Sequence, residues 1–122
     1  MNKMIITLVI TIAMVFTMTV PAFADEVAQS NGLLQVTGVT ATNYSTTSLK
    51  LYWNEVKGAE SYQVYGATSK SGKYYLKKTT SSLSYVNPLL TCGKTYYYKV
   101  RAVGAGSYGA YSNVVSKKVQ PK

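Results

Sequence analysis

A chain of 122 residues is long enough for one domain and too short for a two-domain enzyme or a long repeat array. It contains no histidine, and thirteen cations face only four carboxylates for a net charge of +9. That composition removes most general acid–base and metal chemistry and makes catalysis the unfavoured reading.

The first element is a leader. Met1-Asn2-Lys3 supplies one cation, Met4 to Val20 is an uncharged apolar run diluted by four threonines, and Pro21 is followed by Ala22-Phe23-Ala24. This pattern predicts a signal peptide over residues 1–24, because a stable membrane helix needs about 20 apolar residues. A retained N-terminal anchor is the second reading. The one cysteine, Cys92, is too distant to accept a lipid near residue 24. The expected product is an exported, secreted or loosely wall-associated protein with no stable membrane insertion. Residues 25–35 are expected as a linker, 36–119 as the domain and 120–122 as a tail. Both phenylalanines, Phe16 and Phe23, fall in the leader, so the core has to be built from tyrosine, Trp53 and aliphatic residues.

Beyond the leader no stretch keeps a 3.6-residue apolar period, whereas several alternate with period two. Strands are predicted over Gln35 to Thr42, Ser48 to Trp53, Ser61 to Tyr65, Tyr74 to Thr79, Leu83 to Val86, Tyr96 to Ala102 and Ser112 to Val119. Alternation puts Leu49, Leu51 and Trp53 on one face, pairs Tyr62 with Val64, and sets Tyr96, Tyr98, Val100 and Ala102 against Tyr97, Lys99 and Arg101. Leu90 joins the predicted core. Two registers stay open: either Leu76 or Lys77 faces inward, and either Val114 or Val115 does. Turns are marked by Lys57-Gly58, Ser71-Gly72, Asn87-Pro88, Cys92-Gly93 and Gly104 to Gly109. Seven half-apolar strands predict an all-β fold, an immunoglobulin-like sandwich of two sheets.

Trp53 followed by Val56, Gly58 and Ala59, then Tyr62-Gln63-Val64-Tyr65, then Leu90, Gly93 and Tyr96 leading into Tyr98, Val100 and Ala102, and finally Gly109 and Ser112, appear in a fixed order. In that order and spacing they resemble the fibronectin type III domain of bacterial secreted proteins. The resemblance implies a seven-stranded sandwich used as a spacer, adhesive unit or accessory module. Leu90 to Tyr96 is similar to a tyrosine corner, in which the ring packs inside and the hydroxyl ties to nearby backbone.

Little in the chain suggests chemistry. Glu55 and Glu60 flank a turn and read as solvated acids rather than a glycosidase pair. No base stands ready to activate a serine or threonine, and the 104–109 glycines read as a hairpin loop rather than a phosphate cradle. No cofactor is implied. Cys92 can form no internal disulfide. It reads as a turn residue, with covalent dimerisation as the alternative. Asn43-Tyr44-Ser45 matches a glycosylation acceptor that matters only in a glycosylating host.

Charge is distributed unevenly. Residues 25–60 hold two lysines and four acids, whereas residues 61–122 hold ten cations and no acid. The type III resemblance implies that Lys77, Lys78, Lys99, Arg101, Lys117 and Lys118 belong to one sheet with Tyr65 and Tyr97 interleaved on its outer face, a candidate contact face. Such a field attracts polyanions. The competing reading is solubility and protection of sheet edges. The expected partner is an extracellular protein or an anionic cell-wall polymer. The alternative is a glycan stacked on Tyr65, Tyr97, Tyr108 and Tyr111. Nucleic acid ranks below both.

Overall fold

A computed structural model describes residues 32–121. The expected leader, most of the linker and Lys122 lie outside the described residues. The order of elements is β1 (Thr40–Ser45), β2 (Ser48–Tyr52), β3 (Ser61–Ala67), β4 (Tyr75–Thr80), β5 (Ser84–Asn87), β6 (Thr95–Gly104), β7 (Ser107–Tyr108) and β8 (Val115–Lys118). They form two antiparallel sheets. One has the order β1-β2-β5, and in the other β4-β3-β6 is extended by β7 and β8, which both pair with β6. Among the described residues no helix is long and apolar enough to cross a membrane. The fold is therefore an all-β sandwich, with a two-residue strand added to the seven expected.

Alternation explains the layers. In β2, Leu49 and Leu51 are fully buried and Tyr52 between sheet and solvent is exposed; in β3, Tyr62 and Val64 face in and Gln63 and Tyr65 face out. The same period runs the length of β6, where Tyr98, Val100 and Ala102 are buried. Trp53 and Tyr62 meet at the core with ring centroids 5.9 Å apart. Val36, Val56 and Val119 complete it, and Leu90 and Tyr96 pack against its rim.

Apart from Trp53 the interior rings are tyrosines, and the hydroxyls of Tyr62, Tyr96 and Tyr98 each have a partner. Tyr62 accepts from the Val56 amide at 3.0 Å, Tyr96 from the Thr91 amide at 2.9 Å, and Tyr98 from the Asn87 side-chain amide at 2.6 Å. The Tyr96 bond, together with Gly93 at φ +88°, is the corner geometry that the Leu90 to Tyr96 motif implies. The Trp53 Nε1 group is buried without a hydrogen-bond partner among the described residues.

Three strand expectations need correction. Regular pairing begins at Thr40 rather than Gln35, because Gly38 turns the backbone at φ +69° and the Thr37 carbonyl accepts from the Asn54 amide instead of a neighbouring strand. In β4 the Leu76 alternative fails, whereas the stem of Lys77 turns to the sandwich side beside Gly66 and Tyr98. Val64 pairs with Lys78 and Tyr65 with Leu76, so Lys77 is the extra residue of a bulge. Leu76 lies opposite outward Tyr65 and is 48% exposed, and Tyr75 takes the sandwich side opposite Gly66. In the last strand, pairing is regular only from Val115, which lies opposite Tyr98 and packs on the core.

Candidate functional site: a cation and tyrosine face

Register fixes the outer face of the larger sheet. Gln63 pairs with Arg101, Tyr65 with Lys99 and Ala67 with Tyr97 across β3 and β6, and Tyr97 pairs with Ser116 across β6 and β8. Directly opposed residues share a face, so Gln63, Tyr65, Tyr97, Lys99 and Arg101 all point away from the core. Tyr74, just before β4, and Tyr108 and Tyr111, around β7 and beyond it, close over this row.

The cations lie on the rings. Lys99 Nζ is 4.2 Å from the Tyr111 centroid and 4.6 Å from that of Tyr74. The Arg101 guanidinium carbon is 3.8 Å from the Tyr108 centroid, 4.9 Å from Tyr111 and 5.4 Å from Tyr65. Arg101 also donates from Nε to Gln63 Oε1 at 2.9 Å and from an Nη to the Tyr65 hydroxyl at 3.2 Å. Tyr65 and Tyr111 pack edge to face at 5.4 Å. Each cation–ring contact contributes about 0.5–1 kcal/mol at a partly exposed site. With no carboxylate anywhere in residues 61–122, the two positive charges are held by ring quadrupoles and neutral dipoles, and their field remains available.

The phenols respond to this packing. Burial raises the Tyr111 hydroxyl above its usual range, with the Tyr65 hydrogen bond acting the same way and Arg101 opposing. Tyr74 is raised by burial and by the neighbouring Tyr97. Both rings are thus neutral at ordinary pH, and the face carries only positive charge.

Not every expected residue belongs here. Tyr65, Tyr97, Lys99 and Arg101 do, and Lys118 lies opposite Thr95 on the same side at the β8 edge. Lys117 pairs with Tyr96 and takes the opposite side of the sheet. Lys78 pairs with inward Val64 in regular register, and the β4 bulge that follows lets the stem of Lys77 run beside Gly66 and Tyr98. Sequence reading missed two contributors. Gln63 was accessible to it, since it is two residues from Tyr65 and shares its face. Tyr74 was not, because it precedes its strand and no periodicity positions it.

Two clefts lie elsewhere among the described residues. A cleft of about 190 Å³ between residues 35–39 and Ser112 to Val115 has no ionisable lining residue, and a second of about 90 Å³ is lined by lysines and tyrosines but no acid. Glu55 and Glu60 are exposed and line neither. Cys92 is exposed and free. The Asn43 side chain ties down the end of the domain, accepting from the Gln120 amide at 3.1 Å.

No protein-family model matches the chain. It is similar to a solved Fn3-like protein of Clostridium thermocellum, with 30% identity, a TM-score of 0.63, and coverage of 74% of this chain and 93% of that one. The sixth fibronectin type III domain of human fibronectin type III domain containing protein 3 has the same fold, with 23% identity and a TM-score of 0.67, covering 78% of this chain and 92% of that domain. A 67-residue stretch, 55% of this chain, is 39% identical to part of a poly(3-hydroxybutyrate) depolymerase of Ralstonia pickettii. The match spans only 12% of the depolymerase's length.

Proposed function

We propose that this chain, which belongs to the fibronectin type III family, works outside the cell as a noncatalytic interaction module whose contact surface is the outer face of the larger sheet. The observation that carries this reading is the pair Lys99 and Arg101 lodged among Tyr65, Tyr74, Tyr108 and Tyr111 in a stretch, residues 61–122, that holds no acidic side chain. Export rests on the leader pattern of residues 1–24. The similarity to a depolymerase is confined to a domain-sized piece and brings no depolymerase activity with it.

The face favours a polyanion over a neutral sugar. Stacking on a sugar requires open ring faces, whereas here the rings of Tyr65, Tyr74 and Tyr111 already hold a cation. A ligand rich in phosphate or carboxylate gains from both charges without displacing any of these rings. An anionic wall polymer has that chemistry.

The test is retention on isolated bacterial walls at low salt and at about 1 M salt, where the screening length falls to about 3 Å. Retention should vanish at high salt and in the double variant Lys99→Glu, Arg101→Glu. Binding that survives both changes would overturn the charged-face reading. Salt-resistant binding to a neutral polysaccharide, lost in Tyr108→Ala, would install the glycan reading in its place.

A further inference from the structure

A second concentration of positive charge, separate from the outer face, occupies the open edge between the two sheets. The cleft of about 90 Å³ there is lined by exposed Lys73, Tyr75 and Lys77 and by buried Asn87 and Tyr98. The β4 bulge accounts for Lys77, since the extra residue is turned to the sandwich side. Gly66 makes room for it. A Cβ at that position would stand 3.0 Å from Tyr98 Cε1 and 3.1 Å from Lys77 Cε, so a larger residue would push the lysine stem out of its slot.

Neither lysine has an ion-pair or hydrogen-bond partner among the described residues. Nor is a carboxylate of the described residues within reach, because Glu55 and Glu60 flank the start of β3 whereas the cleft is at its end. Seven strand residues rising about 3.3 Å each separate the two by roughly 20 Å, more than two screening lengths at physiological salt. Both lysines line the same cleft, and Lys73 Nζ lies 5.5 Å from the Tyr75 ring centroid, so its charge meets an aromatic face and not an anion. The floor beneath them is neutral and polar. The Asn87 amide has two N–H groups and gives one to Tyr98, and burial keeps the Tyr98 hydroxyl protonated. At about 90 Å³ the cleft is far below the roughly 300–1,000 Å³ of small-molecule pockets, so it suits a small group and not a whole ligand.

We propose that this cleft is an oxyanion site in which Lys73 and Lys77 hold one phosphate or carboxylate group carried by a larger ligand. It is independent of the sheet face, and each site can fail without the other. The competing role for these lysines is to keep the β4 edge from pairing with another strand, which requires no bound anion.

Titration of the ¹⁵N-labelled protein with inorganic phosphate, at ionic strength held constant with chloride, separates the two. Saturable shifts of the Gly66 backbone amide and the Asn87 side-chain amide are expected. They should weaken at least tenfold in Lys77→Met, which keeps the stem and removes the charge, and also in Lys73→Met. The double variant Lys99→Glu, Arg101→Glu should respond as the parent does. Acetate in place of phosphate tells which oxyanion the cleft prefers, and saturation by either one supports the site. Shifts that chloride reproduces, or phosphate binding undiminished in both methionine variants, would overturn it and leave the lysines as edge guards.

Discussion

Replacing Tyr98 by phenylalanine should destabilise the domain at neutral pH and make it less sensitive to alkali. The ring stays, so no cavity opens. The loss is the hydroxyl that accepts from Asn87 Nδ2 at 2.6 Å, which leaves a buried amide donor unsatisfied at a cost of about 1–3 kcal/mol. That corresponds to a fall in Tm of roughly 4–8 °C for each kcal/mol in a domain of this size. Burial pushes the Tyr98 hydroxyl from its ordinary 10.0 up to about 12. Between those values the unfolded chain has released the proton and the folded one retains it, so the parent loses stability as pH rises from about 10 to 12. Fully expressed, the difference would be about 2.7 kcal/mol; water reaching the hydroxyl's surroundings through the cleft reduces it to about 1–2 kcal/mol. Phenylalanine has no proton to lose. The deficit of the variant should thus be constant below pH 10 and shrink toward zero by pH 12. Urea unfolding of both proteins at intervals from pH 7 to 12, followed by Trp53 fluorescence, measures it. A deficit that stays level or widens above pH 10 would refute the burial argument for Tyr98.

Trp53→Ala should cost about 3–5 kcal/mol through the cavity it leaves, as read by urea unfolding. Trp53→Phe should cost clearly less, because it also removes an indole N–H without a partner among the described residues; equal costs would show that the N–H is satisfied in solution. Tyr96→Phe deletes the bond from the Thr91 amide and should lower stability by about 0.5–1.5 kcal/mol, with faster hydrogen exchange at that amide as the local signature. Gly66→Ala should cost about 1–3 kcal/mol by crowding the Tyr98 ring and the Lys77 stem, and a neutral result would mean that both yield easily.

The strands were legible where one face is buried and the other wet. Residues 48–52 and 95–104 alternate cleanly because each side chain answers to a single layer, and the tyrosine corner was visible because its partners are five residues apart. Sequence patterns failed where parity breaks or partners are remote. Lys77 and Lys78 are consecutive, so alternation could put only one of them on the outer face; Lys78 lies opposite inward Val64, and the β4 bulge, which nothing local announces, turns Lys77 to the sandwich side as well. Asn87 read as a turn residue beside Pro88, yet it is buried beneath Tyr98, a contact between different sheets that no run of neighbours encodes. The outer face was half visible. Lys99, Arg101 and Tyr65 follow from strand period, whereas the positions of Tyr74 and Tyr111 depend on loops folding back over the sheet.

Arg101 is gripped from two directions, by Gln63 and Tyr65 through hydrogen bonds and by the Tyr108 ring at 3.8 Å. A guanidinium so clamped has already surrendered most of its rotamer freedom during folding, so a passing anion meets a charge that need not be immobilised on arrival. Loosening the clamp with Gln63→Ala would then slow nothing in the encounter, yet hasten departure.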